Sequence, residues 1–409
     1  MIRINEKHFL FNQLFEISCY TFVIGLFFSR AVLSFSIASI FIFGLFSFIL
    51  RQEYNIRWDL KFLFFPVVYI VYFISILNTS NTADWLSLIV KNAPLFCIPL
   101  GFQFAPYLNS KKRDKILFLF FLLAFVCVIS TAFKALIDFE TFSQLVLQSK
   151  NIEPVNGLNH IELGVLSVTA FIILGDFTLK EKRIWAKKIL IGISFLYLLS
   201  LHIIAYRFAL FTIYLLFIIY SIYTIVKKRE YIKGLIILTV FLLIIIVLYN
   251  SLDAFKNRII NTRVDIESII RQENPNFQSV HQRWAAIKCA VEITKKNVLY
   301  GVSPADLSSE MQHQYNINSY LLIPENRIFI HNQFLFYAAS FGIPFVFLFG
   351  CGLLFVLYQE SRYSYLPIMM MIPFLLHMQI DNTLEKQITA SGMLFFFFLT
   401  GHKSNKKQL

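Results

Sequence analysis

The sequence predicts an all-α polytopic membrane protein: a transmembrane helical bundle of about 12 spans, with one large outer loop containing an amphipathic helix. Three observations predict it. Hydrophobic residues make up 57% of the 409-residue chain and charged residues only 15%, whereas soluble domains carry about a quarter charged residues. The apolar residues come in blocks near the ~20 residues that cross about 30 Å of hydrocarbon. Basic residues cluster in alternate short loops, as loops on the cytoplasmic side do.

The blocks place spans near 11–29, 31–50, 62–77, 86–106, 116–137, 158–179, 189–206, 208–226, 234–250, 331–358, 365–380 and 387–401. Residues 189–226 are interrupted only by His202 and Arg207 and are too long for one helix, so they are divided at Arg207. Clusters at Arg51/Arg57/Lys61, Lys111/Lys112/Arg113/Lys115, Lys180/Lys182/Arg183/Lys187/Lys188, Lys227/Lys228/Arg229/Lys233 and Lys403/Lys406/Lys407 then share one side with the N-terminus. The opposite short loops, 78–85, 138–157 and 381–386, hold only Lys150 and Lys386. Both termini are therefore expected in the cytoplasm and residues 251–330 outside. The net charge of +13 reflects this bias, and no nucleic-acid partner follows from it. Met1 to Phe9 lack a small-residue cleavage site after a short apolar core, which reads as an uncleaved first span.

Residues 1–409 read as a single integral membrane domain. In its large loop, 251–330, His281 to Lys296 has Trp284, Ile287, Ala290, Val291 and Thr294 at helical spacing. That predicts an amphipathic helix on the membrane or on the bundle, with Asn297 to Gly301 as its exit and Gly301 available as a left-handed cap. Residues 303–326 read as irregular with one short helix, and Thr141–Gln148 as a turn of surface helix. Cys19, Cys97, Cys127 and Cys351 fall in spans and Cys289 in the loop. No disulfide framework or metal-ligand spacing results, and no cofactor is implied.

Candidate chemistry sits at the outer ends of the spans. Arg207 fits a snorkelling turn residue or an anion clamp. His160 and Glu162 enter the sixth span from outside, where an interfacial hydrogen-bonding pair is the plain alternative to a site. Arg283 can grip phosphate in a bidentate fork or stand solvated on its helix. Arg258 and Arg263 could add to the same basic cluster or anchor to headgroups. His331, in His331-Asn332-Gln333, is a candidate general base, histidine being the side chain suited to taking a proton at working pH. Asp381 and Glu385 lie on the same outer face and could orient a histidine or arginine. The chain has no Asp-x-Asp pair, Walker loop or His-Glu-x-x-His, so nucleotide-sugar, ATP-driven and zinc-dependent chemistries are unsupported.

Taken in order, four segments resemble the O-antigen ligase and O-antigen polymerase superfamily of bacterial membrane proteins. They are Tyr206-Arg207-Phe208, Arg283-Trp284 with Asn297 to Val302, His331-Asn332-Gln333 with Phe341-Gly342-Ile343-Pro344, and the Asp381 to Glu385 turn. The resemblance covers roughly 155–400. The family often has Ser-Arg-Gly at the first arginine and glycines after Gly301-Val302. Here Tyr206-Arg207-Phe208 and Ser303-Pro304-Ala305 stand instead, which leaves anion binding to arginines.

The resemblance implies a multi-pass protein of the bacterial inner membrane with a periplasmic active site. It implies a glycosyltransferase that moves a glycan from a polyprenyl (undecaprenyl) diphosphate carrier to an acceptor hydroxyl, in lipopolysaccharide or another cell-envelope polysaccharide. As an O-antigen ligase its acceptor would be lipid A-core. A polymerase would extend glycan on the carrier, and a protein-targeting relative would use Ser or Thr. In this reading His331 is the base, Asp381 orients it, and Arg207, Arg283, Arg258, Arg263, Asn332 and His160 bind substrate. A transporter or flippase of lipid-linked glycans is the rival of another class, kept open by Lys91 and Lys134 within assigned spans.

Overall fold

The computed structural model describes residues 4–50, 59–106, 108–147, 150–251, 253–271, 276, 279–318 and 322–401. Among them every regular element is helical. Arg51, Arg57, Lys403, Lys406, Lys407 and Gln148 lie outside the described residues. The chain divides into two compact units, Met1–Leu119 with Ser268–Leu409, and Phe120–Glu267.

The first unit opens with α1 (Ile4–Phe28) and α2 (Arg30–Leu50), then α3 (Leu60–Ile74), α4 (Thr82–Asn92) and α5 (Pro94–Phe104). Helices α2 and α5 meet at Gly44 and Gly101, where a Cβ on Gly44 would stand 2.4 Å from the Gly101 carbonyl oxygen. Small residues allow this backbone approach, which gains dispersion contact where lipid supplies no hydrophobic drive. Helix α6 (Ser110–Ile137) carries the chain into the second unit. There follow α7 (Phe139–Leu147), α8 (His160–Lys180), α9 (Ile184–Ile203), α10 (Arg207–Val226), α11 (Tyr231–Ser251) and α12 (Asp253–Arg271), with α8 against α9 and α10, and α10 against α11. The first unit resumes with α13 (Ser279–Lys296), α14 (Leu307–Asn318), α15 (Gln333–Phe341), α16 (Ile343–Ser361), α17 (Leu366–His377) and α18 (Gln387–Gly401).

Nine helical segments among the described residues are long and apolar enough to span a bilayer. The other three expected spans coincide with apolar helices α11, α17 and α18. Helix α17 has 12 residues, about 18 Å at 1.5 Å each, short of the ~30 Å core. It can stop early because the following turn is covered by protein: Asp381 and Thr383 are 1% and 0% exposed.

The tenth span, expected as one helix over 331–358, is a hairpin. Gly342, at φ +86°, ends α15, and Pro344 stands in the first turn of α16. The two helices fold back on each other through Phe334–Phe349, Tyr337–Phe349 and Phe341–Phe345 ring contacts. A second break, at Ala93-Pro94, separates α4 from α5 within the fourth span.

Helix α13 covers the predicted 281–296, but its buried face differs from the expected one. Ala285, Ala286, Cys289, Ala290, Ile293 and Thr294 are buried, while Trp284 is exposed. The small side chains let α13 lie close on α14 and α15, and bulkier Trp284 is left outside under Lys288. Gly301 does take the left-handed conformation, φ +65°. Its reason is a backbone lock. Val302 and Ser303 N–H donate to the Ala339 and Ser340 carbonyls at 2.9 and 3.0 Å, and Ile343 N–H to Val298 at 2.8 Å. A Cβ on Gly301 would stand 2.2 Å from the Ser340 carbonyl carbon, and one on Gly342 would stand 2.4 Å from the Leu299 oxygen. The Asn297 to Val302 and Phe341-Gly342-Ile343-Pro344 segments are thus two halves of one contact.

Candidate functional site

In the first unit the His331 segment and the Asp381 turn are joined by hydrogen bonds. Gln333 N–H donates to the Met378 carbonyl at 2.8 Å, and Leu384 N–H donates to Gln333 Oε1 at 2.8 Å. Asn382 Nδ2 donates to the Ile330 carbonyl at 2.6 Å. Asn332 caps α15 by accepting from Leu335 N–H at 2.9 Å, and its Nδ2 donates to the Gln379 carbonyl at 3.1 Å. Both ends of this amide therefore serve the local frame.

That frame sets His331 against Asp381, with Nδ1 to Oδ1 at 3.1 Å. An ionised carboxylate only accepts, so Nδ1 carries the proton and donates. Nε2 then bears the lone pair. The His331 side chain is 29% exposed and that of Asp381 only 1%, so the imidazole faces outward and the carboxylate is buried. Asp381 also accepts from Asn382 N–H at 2.8 Å and from Lys386 Nζ, and His377 Nε2 lies 3.7 Å from Oδ2. Burial raises the Asp381 pKa, but the bonds from His331 and Lys386 outweigh it and hold the carboxyl below the usual carboxylate range.

Arg283, near the start of α13, feels the Asp381 charge. Burial disfavours its guanidinium charge, and Asp381 opposes that penalty. Among the described residues Arg283 makes no hydrogen bond or ion pair, and the charge it meets is that of Asp381. An outward imidazole on a buried carboxylate can take a proton from a hydroxyl, and a guanidinium in the same field can hold an anion.

Beneath this pair lies a second buried carboxylate. Glu385 accepts from the Tyr72 hydroxyl and from Asn92 Nδ2 at 3.2 Å. Burial raises its pKa, although both hydrogen bonds pull the other way. Sequence reasoning placed Glu385 in the turn but missed Tyr72 and Asn92, which are remote in the chain and carry no local signal. It also passed over His377, the last residue of α17, four residues before Asp381 in the turn that follows, where Asp381 N–H donates to the His377 carbonyl at 2.8 Å.

The remaining candidates, Lys91 apart, belong to the second unit. His160 begins α8, its ring centroid 6.1 Å from that of Tyr206. Tyr206 donates to the Ile152 carbonyl at 3.1 Å, and Arg207 begins α10 just after Ala205, at φ +52°. Glu162 completes a capping box with Asn159. Arg263 is exposed and pairs with Glu267 at 2.7 Å. Arg258 lies on α12. Lys91 is exposed in the last turn of α4, and Lys134 Nζ lies 3.4 Å from the Glu153 carbonyl.

No curated protein matches the chain. The profile of the O-antigen ligase family matches residues 192–350, from within α9 to within α16. That span contains Arg207, Arg283 and His331, while Asp381 follows it. Members of the superfamily are membrane glycosyltransferase-like enzymes, and the match makes residues 192–350 of this protein similar to the O-antigen ligase family.

Proposed function

We propose that this protein is an O-antigen ligase-type glycosyltransferase that moves a glycan from a polyprenyl diphosphate carrier to an acceptor hydroxyl, on the periplasmic side of the inner membrane. The observation that carries this reading is the outward His331 held on buried Asp381, with Arg283 alongside. The acceptor oxygen attacks the anomeric carbon and forms the new glycosidic bond. The bond from that carbon to the diphosphate oxygen breaks, and its electron pair leaves with the lipid diphosphate. The hydroxyl proton passes to His331 Nε2. Arg283 meets the negative charge that grows on the leaving group, a term that is often the largest in such catalysis. Asp381 keeps the imidazole in the receptive tautomer and stabilises it once protonated.

For the second unit the proposal is narrower. Arg207 at the first turn of α10 adds its charge to the field of a helix N-terminus, which favours anions. His160 and the α12 arginines Arg258 and Arg263 are secondary contacts in this reading. Lipid A-core is the proposed acceptor. Extension of glycan on the carrier is the polymerase alternative within the same chemistry.

The test is His331→Ala and Arg283→Ala in a strain lacking the native gene. Loss of attached surface glycan at unchanged protein abundance is expected, and normal attachment overturns the assignment. In the deletion strain, long chains accumulating on the carrier support a ligase, and single repeat units support a polymerase. The break at Ala93-Pro94, within a candidate span, is the feature that supports the transport alternative. Liposomes with purified protein and labelled lipid-linked glycan decide it, since movement without transfer would mark a transporter.

A further inference from the structure

The loop after α13 takes no part in the chemistry, yet its shape is tightly fixed. Val298, Leu299 and Tyr300 are 43%, 61% and 78% exposed. The lock to Ala339, Ser340 and Ile343 prevents the backbone from turning these side chains inward. Lys295, paired with Glu292 at 2.8 Å, and Lys296 stand exposed just before them.

The position of the loop follows from helix lengths within the first unit. Lys61 of α3 meets Glu360 of α16, and its Nζ lies 3.4 Å from the Gly401 carbonyl of α18. This cluster marks one end of three helices. Along α16, Ile343 is about 26 Å from Glu360 at 1.5 Å per residue, close to the ~30 Å hydrocarbon thickness. The Gly342 tip, with the loop locked to it, thus reaches the opposite boundary. Below the tip, Ile343, Phe347 and Leu348 of α16 are 51%, 70% and 66% exposed. They belong to a candidate span and continue the apolar surface of the loop. Lysines beside a tyrosine at the end of such a surface suit the headgroup layer, where stems and rings face hydrocarbon and charges face anionic lipid.

We propose that Lys295 to Tyr300 form a bilayer anchor. Val298, Leu299 and Tyr300 enter the acyl-chain and headgroup boundary beside α16, and Lys295 and Lys296 face anionic headgroups. The proposal rests on the membrane reading of α16 and is independent of glycosyl transfer. The anchor directly follows α13 and so fixes the height of Arg283. Phe349, the partner of Phe334, lies about 9 Å below Ile343 along α16, so the His331 end of α15 is recessed beneath the anchored tip.

The test uses the full chain with Cys351→Ser, in nanodiscs of phosphatidylcholine and phosphatidylglycerol. A spin label is placed at Tyr300→Cys, and for comparison at Ser308→Cys on α14. The ratio of oxygen to water-soluble nickel accessibility is expected to be several-fold higher at 300 than at 308. Equal nickel access at both positions overturns the proposal. Protection of 300 from both reagents also overturns it, since protein rather than lipid would then cover the loop. Leu299→Cys repeats the reading should Tyr300→Cys disturb folding.

Discussion

The first unit holds two buried charge clusters toward opposite ends of α3, α16 and α18, and they are built differently. At one end Lys61 is enclosed: Glu360 and Asp59 supply carboxylates, Gly401 supplies a carbonyl, and the Lys61 and Glu360 side chains are 11% and 2% exposed. At the other, Asp381 is as deeply buried, but His331 carries the network outward, and the Arg283 charge lies within its field. A cluster enclosed by protein, as Lys61 and Glu360 are, can only hold helices together. One that leaves an imidazole partly exposed can act on something else. The same ion-pair chemistry serves both ends, and access separates them.

The largest expected effect tests the open end. His331→Ala removes the proposed base and should lower transfer by about 100-fold or more, measured on purified protein with a lipid-linked glycan. A loss below tenfold would mean that the open cluster is not the reacting one. At the closed end, Lys61→Ala leaves Glu360 buried without its partner and should cost about 3–5 kcal/mol of stability. Lys61→Met combined with Glu360→Leu should restore most of it, because the desolvation cost disappears with both charges. Thermal unfolding in detergent measures the pair, and transfer by the surviving folded fraction should stay near normal.

Arg283→Ala should remove a charge-assisted contact of about 1.5–3 kcal/mol, seen as a roughly tenfold or greater loss of transfer with little change in unfolding temperature. Arg283→Lys should recover part of it, since a point charge replaces a fork.

The smallest effect concerns Glu385. Its folded pKa is raised, chiefly by burial, while an unfolded glutamate ionises near pH 4.3. Between those values the folded state holds more protons than the unfolded, so stability falls as pH rises through the window. Glu385→Gln should flatten that slope, read as a smaller difference in unfolding temperature between pH 5 and pH 8. Asp381 has the opposite sign: its folded pKa is depressed. Its stabilising contribution is present above the unfolded value near pH 3.9 and is lost as pH falls toward the folded one.

Much of the fold was legible because span length and apolar content are local properties. The expected boundaries at Arg207 and at 387–401 coincide with the starts of α10 and α18. The hairpin at Gly342 was not predicted, because the apolar arms on both sides read as one span; Gly342 with Pro344 was the punctuation that marked the reversal. The α13 face was misread for a related reason: size, and not hydropathy, chose which side packs on α15. At the site, His331, Asp381 and Arg283 stood out as polar groups at the edges of apolar blocks. Tyr72 and Asn92 did not, because each is ordinary in its own helix and gains meaning only beside Glu385.

The sequence by itself determined a helical membrane protein, the order of its spans and the polar residues at their ends, because hydrocarbon imposes length and apolarity on each span separately. Only the tertiary structure decided which polar residues meet. The 3.1 Å approach of His331 to Asp381 joins positions fifty residues apart. It depends on α15 folding back on α16 and on α17 stopping short, and both are outcomes of packing.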